Sequence, residues 1–183
     1  MFLLWTIKPK LGTIETEGSY VSSLYGGSKR RFQLQNHHAV VETIRTLKAR
    51  YCRYVDTQNW SEFAAMFARD PSLRFIGEDG VVVAEFDSLD EFLAVTKGYL
   101  AGARTIHQVH NDEIDVISET EVHAIWSMED YLIFPDVNDS RPASMHGYGH
   151  YHETWLREDG QWRLGHLELR RTILEIKPKE NAA

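Results

Sequence analysis

Three stretches hold side chains of the kind that do chemistry. "RYCRYVDTQNW", residues 50 to 60, carries Asp56 where an amphipathic pattern closes. A regular helix centred on Tyr51 puts Asp56 beside Cys52, off the buried face. The carboxylate is therefore either an exposed helix terminus or, if the helix ends near Val55, a group that reaches inward. "TIHQVHN", residues 105 to 111, alternates like a strand, so Thr105, His107, Val109 and Asn111 share one face and His110 lies on the other. Imidazole titrates near neutrality and serves as acid or base. "MHGYGHYHETWLRED" aligns His146, Tyr148, His150 and His152 on one strand face. His150-x-His152 followed by Glu158 approaches the cupin metal pattern, but the gap is six residues rather than four or five and a second motif is missing. One or two of these histidines are expected to line a pocket or its rim, with no metal and no cofactor.

The elements that must position these groups follow from periodicity. From Asn36, a plausible N-cap, Val40, Ile44, Leu47, Tyr51, Tyr54 and Val55 recur at helical spacing. "NWSEFAAMF" adds a short second helix, with Trp60, Phe63, Ala64 and Phe67 in step, stopped by "ARDP" because Pro71 disfavours helix before it. "SLRFIGEDGVVVAEF" reads as a hairpin. "SLDEFLAVTKGYL" has a Ser88 cap with Glu91 three residues on and a stripe of Leu89, Phe92, Leu93 and Leu100. Four long alternating segments then fill residues 105 to 176, joined by "ET", a Pro/Asp/Asn loop at 135 to 142 and "EDGQ", which suggests an antiparallel meander. Helices first and a curved sheet afterwards make an α+β domain with a concave site. On the strand holding Trp126 and Met128, the pair is either core or the wall of a flat apolar pocket.

The expected organisation is an N-terminal arm over 1–33, a domain over 34–176 and a tail over 177–183. At 183 residues, 43% hydrophobic, with a net charge of -7, the chain suits one packed domain and lacks the basic field that nucleic acid or an anionic membrane needs. The ligand is expected to be small and neutral, or else met by a local cation. The single Cys52 excludes an internal disulfide and multi-cysteine metal motifs. A reducing cytoplasm is the expected location, since "MFLLWTIKPKL" fails as a signal peptide and is too short to span a bilayer.

Taken together, "RYxxxVDxxxW", a following "F...DP", "T.H.V.N" and the late "EDGQWRL" turn resemble the SnoaL-like branch of the nuclear transport factor 2-like superfamily, over roughly residues 36 to 175. That branch includes scytalone dehydratase, bile acid 7α-dehydratase and hexachlorocyclohexane dehydrochlorinase. The resemblance implies an α+β cone with a buried Asp–His pair, at Asp56 and His107 here. It also implies a pocket tyrosine five residues before the Asp, which matches Tyr51; the dehydrochlorinase type has lysine there, so Tyr51 leans toward loss of water. An arginine of the final strand completes the set: Arg170, with Arg171 or Arg163 as substitutes because "HLELRR" leaves the register open. Asn111, Trp126, Met128, Tyr148 and His150 are the expected lining.

The implied activity is a cofactor-independent dehydratase or isomerase acting on a hydrophobic polyketide-, steroid- or aromatic-like molecule. His107 would act as base, Asp56 would hold its tautomer, and Tyr51 and the arginine would meet the developing enolate. A homo-oligomer, dimer or trimer, is expected. The same fold also hosts binding or assembly modules, including dioxygenase small subunits, which have no need of the Asp–His pair.

Overall fold

The computed structural model describes residues 20–135 and 140–179, with side chains described from Asn36 onward. The first nineteen residues of the expected arm, positions 136–139 of the Pro/Asp/Asn loop and the end of the tail lie outside them. The chain divides into two compact units, residues 1–36 and 37–183, and the second carries the candidate site.

Helix α1 runs Tyr20–Asp56. Asn36 is thus interior to a helix rather than its cap, because the backbone turns begin sixteen residues earlier despite the Gly/Ser content. The buried stripe is Ile44, Lys48, Tyr51, Cys52 and Val55, at steps of four, three, one and three. Gln58, at φ 53, ends the helical path just beyond Asp56.

Helix α2, Trp60–Ala64, is shorter than expected. Phe67 already opens strand β1, Phe67–Ile76, and Pro71 sits in the irregular stretch of β1 between Phe67 and Ser72, where a missing N–H breaks no ladder. Strand β2, Val82–Phe86, returns antiparallel to β1 as a hairpin. Helix α3, Leu89–Leu100, starts at Ser88, whose Oγ accepts the Glu91 N–H at 3.2 Å. The Glu91 carboxylate reaches back to the Asp87 N–H, one residue ahead of the cap.

Strands β3 (Arg104–Val116), β4 (Glu121–Ile133), β5 (Ser144–Glu158) and β6 (Gln161–Lys177) form the expected antiparallel meander. Asp159 and Gly160, both at positive φ, make the tight β5–β6 turn, a conformation that favours these residue types. β1 pairs parallel with β6, giving one six-stranded mixed sheet in the order β2-β1-β6-β5-β4-β3. The fold is α+β. Its core joins the α1 stripe and α3 to the inner sheet face, through Phe63, Phe67, Phe92, Trp126, Trp155 and Leu167 among others. No helix among the described residues is long and apolar enough to cross a membrane.

Candidate active site

The end of α1 and the start of β3 bring Asp56 against His107. The carboxylate accepts three hydrogen bonds: from His107 Nδ1 at 2.6 Å, from the His107 backbone N–H at 2.9 Å and from Thr105 Oγ1 at 2.8 Å. Their side chains are 17% and 11% exposed, so the pair is mostly withdrawn from water. Burial pushes the Asp56 carboxyl upward, but the hydrogen bonds from His107 and Thr105 outweigh it and hold the group below its ordinary value. An ionised carboxylate only accepts, so Nδ1 of a neutral His107 carries the proton and Nε2 is left as a base.

The folded-state shift of Asp56 is downward, so its stabilising effect is complete above the ordinary value of 3.8 and is lost as pH falls through the lower folded value. The difference in Tm between wild type and Asp56→Asn is therefore expected to shrink as pH drops below about 4. A difference that is flat from pH 7 to pH 2 would contradict the assignment.

His107 opens onto a cavity of about 590 Å³ whose lining also includes Tyr51, Tyr151, Asp130, Arg171 and an apolar wall with Phe75, Phe86 and Phe92. Arg171 grips Asp130 with both amino groups, Nη1 to Oδ1 at 2.8 Å and Nη2 to Oδ2 at 2.6 Å. Burial lowers the Arg171 guanidinium, yet its bonds to Asp130 and that carboxylate's charge more than reverse this. Burial, followed by the nearby Glu153 for Tyr51 and by Tyr51 for Tyr151, pushes both phenols well above their ordinary range. Both are neutral hydrogen-bond donors at physiological pH.

Beneath the two phenols lies a second ion pair that is fully buried. Lys48 Nζ meets Glu153 Oε1 at 2.5 Å and stands 4.1 Å and 3.6 Å from the ring centroids of Tyr51 and Tyr151. Glu153 Oε2 accepts the indole N–H groups of Trp126, at 2.8 Å, and Trp155, at 3.0 Å. Every polar atom of this carboxylate is thereby bonded, the condition under which buried charge is tolerated.

The structure thus brings Tyr51, Asp56 and His107 together and moves the other expected residues elsewhere. Arg170 bonds Glu168 instead, and the adjacent Arg171 takes the pocket position, because the irregularity at Gly165, opposite Thr154/Trp155, shifts the inward set of β6 onto Leu167, Leu169 and Arg171. Asn111 is exposed: a bulge between His110 and Glu113, with Asn111 at φ 44, ends the alternation that seemed to align it with His107. Trp126 and Met128 point inward but are packed as core, Trp126 held by Glu153. On β5 the cavity receives the opposite set, Met145 and Tyr151, which leaves Tyr148 and His150 on the outer face with His146, whose Nε2 lies 2.7 Å from Glu129. Among the described residues no three His, Cys, Asp or Glu side chains gather closely enough to hold a metal ion.

Lys48, Asp130, Tyr151 and Glu153 are additional to the expected residues, although the sequence carries a signal for each. Lys48 falls in the middle of the α1 stripe. Asp130 continues the inward alternation Ala124, Trp126, Met128, and Glu153 sits between Tyr151 and Trp155 on theirs. A charge on an apolar face is the mark of a buried, partnered ion.

Gly147 makes room for the upper pair, since a Cβ there would lie 2.2 Å from Arg171 Nη1 and 2.8 Å from Asp130 Oδ1. Gly147→Ala is expected to destabilise the fold by about 1–3 kcal/mol and to unseat Arg171 from Asp130. Denaturant unfolding together with a crystal structure of the variant checks this; an unchanged pair would refute it.

A relative, the probable cyclase FGR4 of Gibberella zeae, is 27% identical over 141 residues, spanning 73% of this chain and 91% of that protein. Among solved structures, a candidate scytalone dehydratase from Novosphingobium aromaticivorans superposes with a TM-score of 0.68 at 23% identity, covering 82% of this chain and 99% of that one. A hexachlorocyclohexane dehydrochlorinase, LinA-type3 from Novosphingobium barchaimii, gives 0.63 at 17% identity, over 78% and 92%. At such identities the two structures speak for the fold alone. The SnoaL-like domain family, however, matches residues 37–168 directly, which is most of the chain and every residue of the pocket's polar end except Arg171. Because that match covers most of the chain, including Tyr51, Asp56 and His107, the chain belongs to the SnoaL-like domain family.

Proposed function

We propose that this protein is a cofactor-independent lyase or isomerase that removes a proton from carbon next to a carbonyl in a hydrophobic, aromatic- or polyketide-like small molecule. The observation that carries the reading is the Asp56–His107 hydrogen bond at the wall of a largely apolar cavity. A binding module has no use for an ionised carboxylate whose hydrogen bonds fix one tautomer of a pocket imidazole.

In this reading His107 Nε2 takes the α-proton, and Asp56 stays ionised while it stabilises the imidazolium. Charge developing on the carbonyl oxygen is met by the Tyr51 and Tyr151 hydroxyls and by the Arg171 N–H groups that Asp130 leaves free. For dehydration, the C–O bond to a β-hydroxyl then breaks, the imidazolium returns its proton to the leaving oxygen, and water departs as the C=C bond forms. Return of the proton to another carbon gives isomerisation, and attack of the enolate on a second carbonyl of the same molecule gives cyclisation, the activity named for the Gibberella relative.

The test is incubation with bicyclic β-hydroxy ketones in D₂O, following both loss of water and deuterium entry at the α-carbon. Exchange faster than buffer supports the reading even where elimination does not follow. Tight binding with neither exchange nor turnover would replace it with a ligand-binding role.

A further inference from the structure

The charges around the pocket do not leave a cation to spare. Among the described residues, Arg171 and Lys48 are the two cations at or directly beneath the lining. Arg171 is held bidentately by Asp130, and Lys48 is closed off by Glu153 at 2.5 Å and by the two phenol rings. Asp56 adds a third carboxylate, whose partner is the His107 ring through a hydrogen bond. Two cations against three carboxylates leave one net negative charge while His107 is neutral. The rest of the wall is apolar or phenolic apart from Thr96, and carries no further charge.

We infer that the site selects uncharged substrates and excludes carboxylates and phosphates, with Asp130 as the residue that sets this preference. The inference rests on the pocket being the substrate site. A carboxylate entering it would shed its water without gaining a free cation, and it would meet Asp130 at the wall, and the charge of Asp56 behind His107, in a medium that screens poorly. A ketone oxygen needs only donors, which Tyr51, Tyr151 and the unused Arg171 N–H groups provide. Asp130 therefore converts Arg171 from an anion receptor into a charge-compensated hydrogen-bond donor. The room for this conversion is made at Gly147, where any Cβ would collide with both partners.

The closest probes are 2-acetonaphthone and 2-naphthoate, nearly the same shape and differing in charge at pH 7. Their affinities are measured by NMR shift titration of the whole chain, with the His107, Leu132 and Leu169 signals locating the site. The ketone is expected to bind wild type at least about tenfold more tightly than the carboxylate. Asp130→Asn, which frees the guanidinium, is expected to raise 2-naphthoate affinity by about tenfold or more while moving the ketone little. Equal or tighter binding of 2-naphthoate to wild type would overturn the inference and leave the pocket reading standing, and this comparison needs no variant to fold. A failure of both probes to shift the pocket signals at saturation would overturn the pocket reading, and the inference with it.

Discussion

Replacing His107 by Ala is expected to lower α-proton exchange and turnover by about 10²- to 10⁴-fold, the range that positioned general bases supply. The fold should survive. Asp56 keeps the His107 backbone N–H and the Thr105 hydroxyl, two of its three hydrogen bonds, so removal of the ring leaves the carboxylate partnered. The side chain lost is not part of the central core, which lies on the α1 stripe and the strands behind it. The measurement is the rate of deuterium entry into whichever β-hydroxy ketone the wild type accepts, together with a thermal melt of both proteins. A cooperative melt with full exchange activity would remove His107 from the mechanism. A loss of exchange that tracks a loss of folding would be uninformative about chemistry, which is why the melt accompanies the rate.

The second large effect is one of stability. Lys48→Met keeps the length of the side chain and deletes its charge, leaving Glu153 ionised among Tyr51, Tyr151, Trp126 and Trp155. Breaking a buried pair from one side costs about 3–5 kcal/mol, because the remaining ion has lost its counter-charge but not its burial. For a protein of this size that corresponds to a fall in Tm of about 6–20 °C. The double variant Lys48→Met/Glu153→Gln should recover much of the loss, since a neutral amide oxygen still accepts an indole N–H and no charge is stranded. Denaturant unfolding of wild type, both single variants and the double variant gives the coupling energy. Additive losses would mean that the two charges do not depend on each other.

Much of the architecture follows from periodicity alone. The alternation of "TIHQVHN" puts Thr105 and His107 on one face, but helical spacing leaves Asp56 either exposed or turned inward, and its pairing with His107 is legible only through the family resemblance. Alternation fails where the chain inserts a residue. Asn111 leaves the face through a bulge, and the irregularity at Gly165 exchanges Arg170 for Arg171; the strand glycine marks the second, while the first has no mark as strong. β5 poses a different difficulty. Its two faces read His-Tyr-His-His and Gly-Gly-Tyr-Glu, and polarity alone favours the first for a pocket. The structure turns the second inward because glycine leaves volume for the Arg171–Asp130 pair and because Glu153 finds Lys48 and two indoles there. Partnering, which decides where a charge can be buried, is a property of three dimensions.

The position of β6 has a consequence for how the molecule is made. β6, the last described strand, is central in the sheet, joined on one side to β5 and on the other to β1, whose paired residues precede it by 94 to 97 positions. During synthesis Tyr51, Asp56 and His107 emerge early, yet the β1–β2 hairpin has no neighbour until Leu164–Arg170 arrive. Long-range pairing of this kind is slow to form and leaves apolar strand edges uncovered meanwhile. Arg171, delivered by the same strand, is the last polar residue of the described lining to be synthesised, so a ribosome-bound chain that has not yet reached β6 holds Asp56 and His107 without the cavity wall that Leu169, Arg171 and Leu174 complete.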